Sequence, residues 1–215
     1  VAEDLKGRHV LITAGPTREP IDPVRFISNH SSGKQGYVIA QACAALGAKV
    51  TLVAGPTALP DPDEVSTVHV ETALEMLAAV EAALPADVFI AVAAVADWRP
   101  AQASNKKLKL DKAEFSSLPL VENPDILRTI ARRDTNRPGL VIGFAAETHD
   151  VEALAKAKRE RKGCDWIVAN DVSGDVMGGA ENAVILVSAS QTEQWERAAK
   201  SVVAERLASR IAAAL

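Results

Sequence analysis

The chain has 215 residues, with 24 Lys and Arg against 28 Asp and Glu for a net charge of -4, 48% hydrophobic and 24% charged residues. This is the make-up of a globular protein with one sizeable core, and it offers no general basic face for nucleic acid. Cys43 and Cys164 form no CxxC pair, which argues against a disulfide framework or a zinc site, and no apolar run nears the roughly 20 residues of a membrane helix.

The chain begins Val1-Ala2-Glu3-Asp4, with neither Met nor the basic start and apolar core of a signal peptide. Processing, or excision from something longer, is the expectation, and a reducing cytoplasm suits the cysteines best. Val10–Thr13 reads as a buried strand, and Lys34–Leu46 as a helix stopped by Gly47. Between them runs a long loop whose last residues, Ser31-Ser32-Gly33-Lys34, stand where a helix begins. Free backbone N–H groups and the helix dipole make that an anion position. Lys49–Val53 is a β-branched strand, and Thr72–Leu84 an amphipathic helix opened by a Thr72/Glu75 capping box. Asp87–Val95, the most apolar run, suits a central strand covered on both faces.

Strand alternating with helix predicts an α/β, Rossmann-like three-layer fold with a mainly parallel central sheet, whose ligands bind beyond the carboxyl ends of the strands. The rhythm breaks over 97–122, where a lysine-rich stretch with Lys106, Lys107 and Lys109 reads as an inserted flap. Asn123 is placed to cap the next helix with Pro124 in its first turn. Leu140–Ala146 is a strand, Val151–Lys162 a helix closed by Gly163, and Trp166–Ala169 a strand followed by a glycine-containing loop through Gly179. Ala183–Val187 is strand-like, and Glu196–Leu215 is predicted as a long final helix.

The anion loop is not a P-loop, because Ser28 and Gln35 stand where glycine and Ser or Thr are needed. GxGxxG is absent, and no acidic residue ends the second strand, so nicotinamide binding loses ground. Asn29-His30-Ser31-Ser32 could be a helix-capping cluster alone; its sequon is discounted for a cytoplasmic chain. The flap lysines read as solvated surface or as ammonium groups closing on phosphate. Asp97 and Asp171 follow strands and suit Mg2+, sugar hydroxyls or turn capping. Lys158 and Lys162 share a helix face, to reach one ligand or to offset the dipole. The histidines have no ligand spacing.

Taken together, Ile12–Pro20, Asp22–Arg25, Ser28–Gly36, Ala93–Asp97, Lys107–Lys109, Asn123–Ile126, Gly143–Thr148 and Ala169–Val172 closely resemble the bacterial phosphopantothenoylcysteine synthetase family. These are the phosphopantothenate:cysteine ligases of coenzyme A biosynthesis. The resemblance runs from about residue 7 to the final helix, which leaves 1–6 as a linker remnant and 7–215 as the ligase domain. It implies CTP as co-substrate, Mg2+ or another divalent cation, an acyl-cytidylate intermediate and a homodimer. It also implies fusion, in the full-length protein, to an N-terminal flavin-dependent decarboxylase, with no flavin in this chain.

For single residues, the resemblance implies that Lys107 neutralises the α-phosphate and Asn29 holds the acyl carbonyl. It implies CTP contacts from Asp97, Asn123, Pro124, Asp125, Ile126, Phe144, Lys158 and Lys162, with Asp97 also assisting the metal. Arg25, Ser31, Ser32, Gly33 and Ala93 fall to phosphate or substrate, whether triphosphate or substrate phosphate. Two alternatives stand beside this reading: a nicotinamide-dependent oxidoreductase and a non-catalytic nucleotide-binding module.

Overall fold

The apolar run after Arg8 becomes the middle strand of the molecule. In the structure, a computed structural model that describes residues 5–108, 117–147, 149–171 and 181–215, this run is β1 (His9–Ala14). The long loop holds a short hairpin, β2 (Arg18–Pro20) and β3 (Phe26–Ser28), before α1 (Lys34–Ala45). Then come β4 (Lys49–Ala54), β5 (Val65–His69), α2 (Ala73–Ala82) and β6 (Val88–Ala91). A second hairpin, β7 (Trp98–Pro100) and β8 (Leu120–Glu122), brackets the flap, and α3 (Ile126–Ala131) follows. The chain closes with β9 (Leu140–Glu147), α4 (Val151–Lys162), β10 (Trp166–Asp171), β11 (Glu181–Val187), β12 (Thr192–Ala199) and α5 (Lys200–Ala212).

Among the described residues, eight strands form one sheet in the order β12-β11-β10-β9-β6-β1-β4-β5. All neighbours from β10 to β5 are parallel, whereas β11 and β12 add an antiparallel edge. Because side chains alternate along a strand, each strand feeds two cores. Val10, Ile12, Val50, Leu52 and Ile90 pack under Tyr37 and Ile39 of α1 and Val203 and Leu207 of α5. On the other face, Leu11, Val53, Phe89, Val141 and Ile167 meet Met76 and Val80 of α2 and Ile130 of α3. The layers are therefore helix, sheet, helix, a Rossmann-like α/β fold with a mainly parallel sheet. Cys43 and Cys164 are buried and free, and burial pushes their thiols up to about 12 and about 11. No described helix is long and apolar enough to cross a membrane.

Three expectations are corrected. The run predicted as strand to Val95 leaves the regular sheet after Ala91 and instead follows the extension of β1, with Val92 N–H donating to Thr13 O at 3.1 Å and Ala94 N–H to Gly15 O at 2.9 Å. The final helix begins at Lys200 rather than Glu196, because 192–199 pair antiparallel with β11 and bury Trp195. The cap of α3 is Asp125, whose carboxylate accepts from Arg128 N–H at 3.0 Å, and not Asn123. The Thr72/Glu75 capping box forms as read from the sequence.

Two glycines let α1 sit close to β1. Gly33, its N-cap, has φ of 75°, in the left-handed region. At Gly36 an added Cβ would stand 2.5 Å from the Cβ of Ala14. Gly36→Ala is therefore expected to lower stability by about 1–3 kcal/mol through overpacking, read as a reduced urea midpoint with unchanged slope. An unaltered midpoint would mean that α1 lifts off β1 freely.

Candidate functional site

The strand order reverses between β1 and β6: the chain leaves β1 toward β4 and β5, and leaves β6 toward β9 and β10. A crevice beyond the carboxyl ends of such a pair is where ligands of open α/β sheets bind. Two cavities occupy it. One, of about 540 Å³, lies toward α3 and α4 and is lined by Asp97, Asn123, Pro124, Asp125, Ile126, Phe144, Lys158 and Lys162. The other, of about 350 Å³, lies at the start of α1 and is lined by residues that include His30, Ser31, Ser32, Gly33, Lys34 and Lys200. Ala93, Val95, Phe144 and Lys158 belong to both walls, so the cavities meet there.

Hydrogen bonds between loops hold this crevice open. Thr17 Oγ1 accepts from Ala96 N–H at 3.0 Å, and the buried Glu19 carboxylate accepts from Ala73 N–H at 3.0 Å, which ties β2 to the segment after β6 and to α2. Asn123 Nδ2 donates to Ala96 O at 2.8 Å, while Arg99 Nη1 donates to Asn123 Oδ1 at 3.1 Å. Asn29 Nδ2 donates to Val95 O at 3.1 Å. Asn29 is thus held against the shared wall, and α1 has no side-chain cap from the 29–32 cluster.

The first cavity mixes Asp97, Glu122 and Asp125 with Lys158 and Lys162, whereas among the described residues the second is lined by Lys34, Lys158 and Lys200 and by no carboxylate. Lys158 donates from Nζ to Phe144 O at 2.8 Å, and its pKa is lowered, first by burial and then by Lys162. Lys162 pairs with Asp125, the residue that caps α3. On the other side the pKa of Lys200 is lowered, first by burial and then by Lys34. Burial and a neighbouring cation disfavour each ammonium, and a bound anion would favour it. Among the described residues, no three His, Cys, Asp or Glu side chains cluster as metal ligands. Asp97 and Glu122 each put an exposed carboxylate on the first cavity wall, and so sparse a donor set fits Mg2+ held largely by phosphate and water.

The flap stem lies apart from these walls. The buried carboxylate of Asp22 accepts from Val24 and Arg25 N–H, each at 2.9 Å, from Leu108 N–H at 3.2 Å, and from the Arg25 side chain. Arg25 Nη2 also donates to Leu108 O at 3.2 Å. Arg25, expected at phosphate or substrate, therefore lines neither cavity and is engaged at the stem. Lys107, next to the pinned Leu108, is exposed and also lines neither cavity. Lys109, Thr148 and the loop 172–180 lie outside the described residues. The sequence reading did not single out Lys200, Gln35, Asn170 or Asn182, all on the second cavity wall. The signal emerges only once α5 is seen to begin at Lys200: both α1 and α5 then start with a lysine, where the helix dipole disfavours a cation.

The Arg25 guanidinium, followed by the backbone donors, holds the Asp22 carboxyl well below its ordinary value of 3.8. A depressed carboxylate stabilises the fold fully above its unfolded value and loses this as pH falls through the window below it. Protection of the Leu108 amide from hydrogen exchange is thus expected to persist from pH 7 to about pH 5. Asp22→Asn should abolish it at every pH; equal protection in the variant would show that the stem does not depend on this carboxylate.

A family model for the DNA/pantothenate metabolism flavoprotein C-terminal domain matches residues 5–215. The coenzyme A biosynthesis bifunctional protein CoaBC of Escherichia coli (strain K12) is 53% identical over 178 residues, covering 81% of this chain and 44% of that protein. Its counterpart from Mycolicibacterium smegmatis is 46% identical over 224 residues, covering 99% of this chain and 54% of that protein. The chain thus spans about half the length of the curated relatives it matches. A crystal structure of the C-terminal domain of a CoaBC protein superposes with a TM-score of 0.84 at 40% identity, covering 99% of this chain and 98% of that one. A fold that matches over its full length and a family model that spans nearly every residue agree, and the chain belongs to the DNA/pantothenate metabolism flavoprotein C-terminal domain family.

Proposed function

We propose that this domain ligates 4'-phosphopantothenate to L-cysteine at the expense of CTP, as a step of coenzyme A biosynthesis. The observation that carries the reading is the pair of cavities meeting at Phe144 and Lys158 over the switch point. One pocket is sized for a nucleoside, the other is rich in cations, and a reacting phosphate belongs where they join. The relatives named for coenzyme A biosynthesis support it.

A carboxylate oxygen of phosphopantothenate attacks the α-phosphorus of CTP. The bond to the β-phosphate breaks, pyrophosphate leaves and an acyl-cytidylate remains. The cysteine amine then attacks the acyl carbon, the acyl C–O bond breaks, CMP departs and the nitrogen gives up a proton. Lys158, half-buried at the junction, offsets charge on the α-phosphate, and Lys107 adds to it once the flap closes. Asn123–Ile126 and Phe144 wall the nucleoside, with Lys162 fixed by Asp125. Asn29 already lies against the shared wall, and its amide turns from Val95 O to the acyl carbonyl. Asp97 would hold Mg2+, which supplies charge neutralisation on the phosphates. Ser31, Ser32 and Gly33 offer the start of α1 to phosphate.

The assembly that goes with this reading is a homodimer. Phe26 and Val24 of the first hairpin, and Trp98, Leu120 and Val121 of the second, expose apolar surface beside the flap stem. In the full-length protein we place a flavin-dependent decarboxylase ahead of this domain, in line with the bifunctional relatives, and the whole in the cytoplasm.

The test is pyrophosphate release from CTP and 4'-phosphopantothenate, with and without cysteine and with ATP in parallel. Release with CTP, and CMP with amide product only when cysteine is added, is the expected result; no release with either nucleotide overturns the reading. Lys107→Gln should abolish activation. Asn29→Asp should keep activation and slow amide formation by about a hundredfold, the loss of one preorganised donor worth roughly 3 kcal/mol. An Asn29→Asp enzyme that releases no pyrophosphate would refute that division of roles.

A further inference from the structure

The second cavity is built from the starts of two helices. α1 and α5 pack against each other, and their first residues, Lys34 and Lys200, both line it. Neither helix has a side-chain cap or an acidic residue in its first turn. The other long helices differ: α2 has a capping box and Glu75, and α4 has Glu152 in its first turn. A first-turn lysine opposes the helix dipole. Here it happens twice at one place, and burial, followed by repulsion from Lys34, lowers the pKa of Lys200.

Two buried polar atoms on the same wall are unsatisfied. Gln35 Oε1 accepts from Asn182 Nδ2 at 2.9 Å, which aligns the amide, yet Gln35 Nε2 is buried without an acceptor. Asn170 Oδ1 is likewise buried without a donor. A buried donor left unpaired is costly, and two like charges held together are costly as well. A polyanion in the cavity would give the Gln35 donor an acceptor and the two ammonium groups a counter-charge, whereas Asn170 Oδ1, itself an acceptor, needs a donor and plays no part.

We infer that Lys34 and Lys200, with the Gln35 amide, form the subsite that holds the terminal diphosphate of the nucleotide and keeps it as the pyrophosphate leaving group. The inference rests on the ligase reading and adds to it Lys34 and Gln35 from the start of α1 and Lys200 from the C-terminal third of the chain. Lys158 stands on the junction of the cavities, whereas Lys34 and Lys200 line only the second. The cations thus continue away from the nucleoside pocket, as a run of phosphates would. The phosphate of the substrate is the other source of the same chemistry, and the experiment separates the two.

Calorimetric titrations of the wild type, Lys34→Gln, Lys200→Gln and Lys200→Arg would use four probes: inorganic pyrophosphate, orthophosphate, CMP and 4'-phosphopantothenate. Each Gln variant is expected to bind pyrophosphate about tenfold or more weakly, the scale of one charge-assisted hydrogen bond. CMP and phosphopantothenate should bind as before, and Lys200→Arg should recover most of the affinity. Thermal unfolding shows which variants are folded; the lysines are on separate helices, so either folded variant suffices. Weakened phosphopantothenate binding with pyrophosphate unchanged would overturn the assignment in favour of the substrate phosphate, and no change for any probe would overturn it outright. Lysine-dependent pyrophosphate binding without any CMP binding would uphold the anion subsite while refuting the CTP reading.

Discussion

The parting of β1 and β6 is the constraint from which the site follows. Both strands are buried and parallel, and their ladder continues past the regular sheet through Val92 to Thr13 and Ala94 to Gly15. Thr17 extends it, donating N–H to Ala94 O at 3.3 Å and accepting from Ala96 on its hydroxyl. Only then do the two chains separate, one into the β2–β3 hairpin and one into the β7–β8 hairpin. The crevice walls are therefore backbone tied to backbone. That gives a site preorganised before any ligand arrives, as catalysis by fixed dipoles requires.

A chain of net charge -4 nonetheless lines one of its two cavities with lysines and, among the described residues, no carboxylate. The reason is the employment of its acids elsewhere. Glu19 accepts from the start of α2, Asp22 is enclosed at the flap stem, Asp125 caps α3 and pairs with Lys162, and Asp165 is held by Arg137. Each of these carboxylates is bound to a structural donor, and the second cavity, with Lys34, Lys158 and Lys200 and no described carboxylate on its wall, keeps a positive field. Local arrangement rather than net charge sets what the site attracts.

Much of this was legible in the sequence where a pattern was strong. Val10–Thr13, Lys34–Leu46, Leu140–Ala146 and Val151–Lys162 all became elements of the expected type within a residue or two. The anion position before Lys34 and the residues of the nucleoside cavity were also readable, the latter through family motifs. What escaped was edge structure. β5 is half-exposed on an outer edge, and β12 carries Glu193, Gln194, Glu196 and Arg197 with Trp195 as its fully buried residue. Such a strand lacks the apolar run that marks a central one, and its charges suit an exposed edge. Lys200 was hidden for the same reason: with β12 read as helix, it sat in mid-helix rather than at a helix start. Asn123 misled because Asn-Pro before a helix has two competing uses, cap and loop clamp, and the partner that decides, Ala96 O, is distant in sequence.

The two ends of the described chain meet at the pole opposite the crevice. Leu5 is fully buried and donates its N–H to Leu46 O at 3.0 Å, and Arg8 joins Asp87 to the carbonyl of Leu215 at 3.3 Å. This is the amino end of β1, whereas the cavities lie past its carboxyl end. The fold consequently has a tethering pole and a working pole. The same closeness makes the position of the chain break topologically incidental: a short linker between the ends, with new termini opened in the exposed turn near Asp63, would leave the crevice untouched.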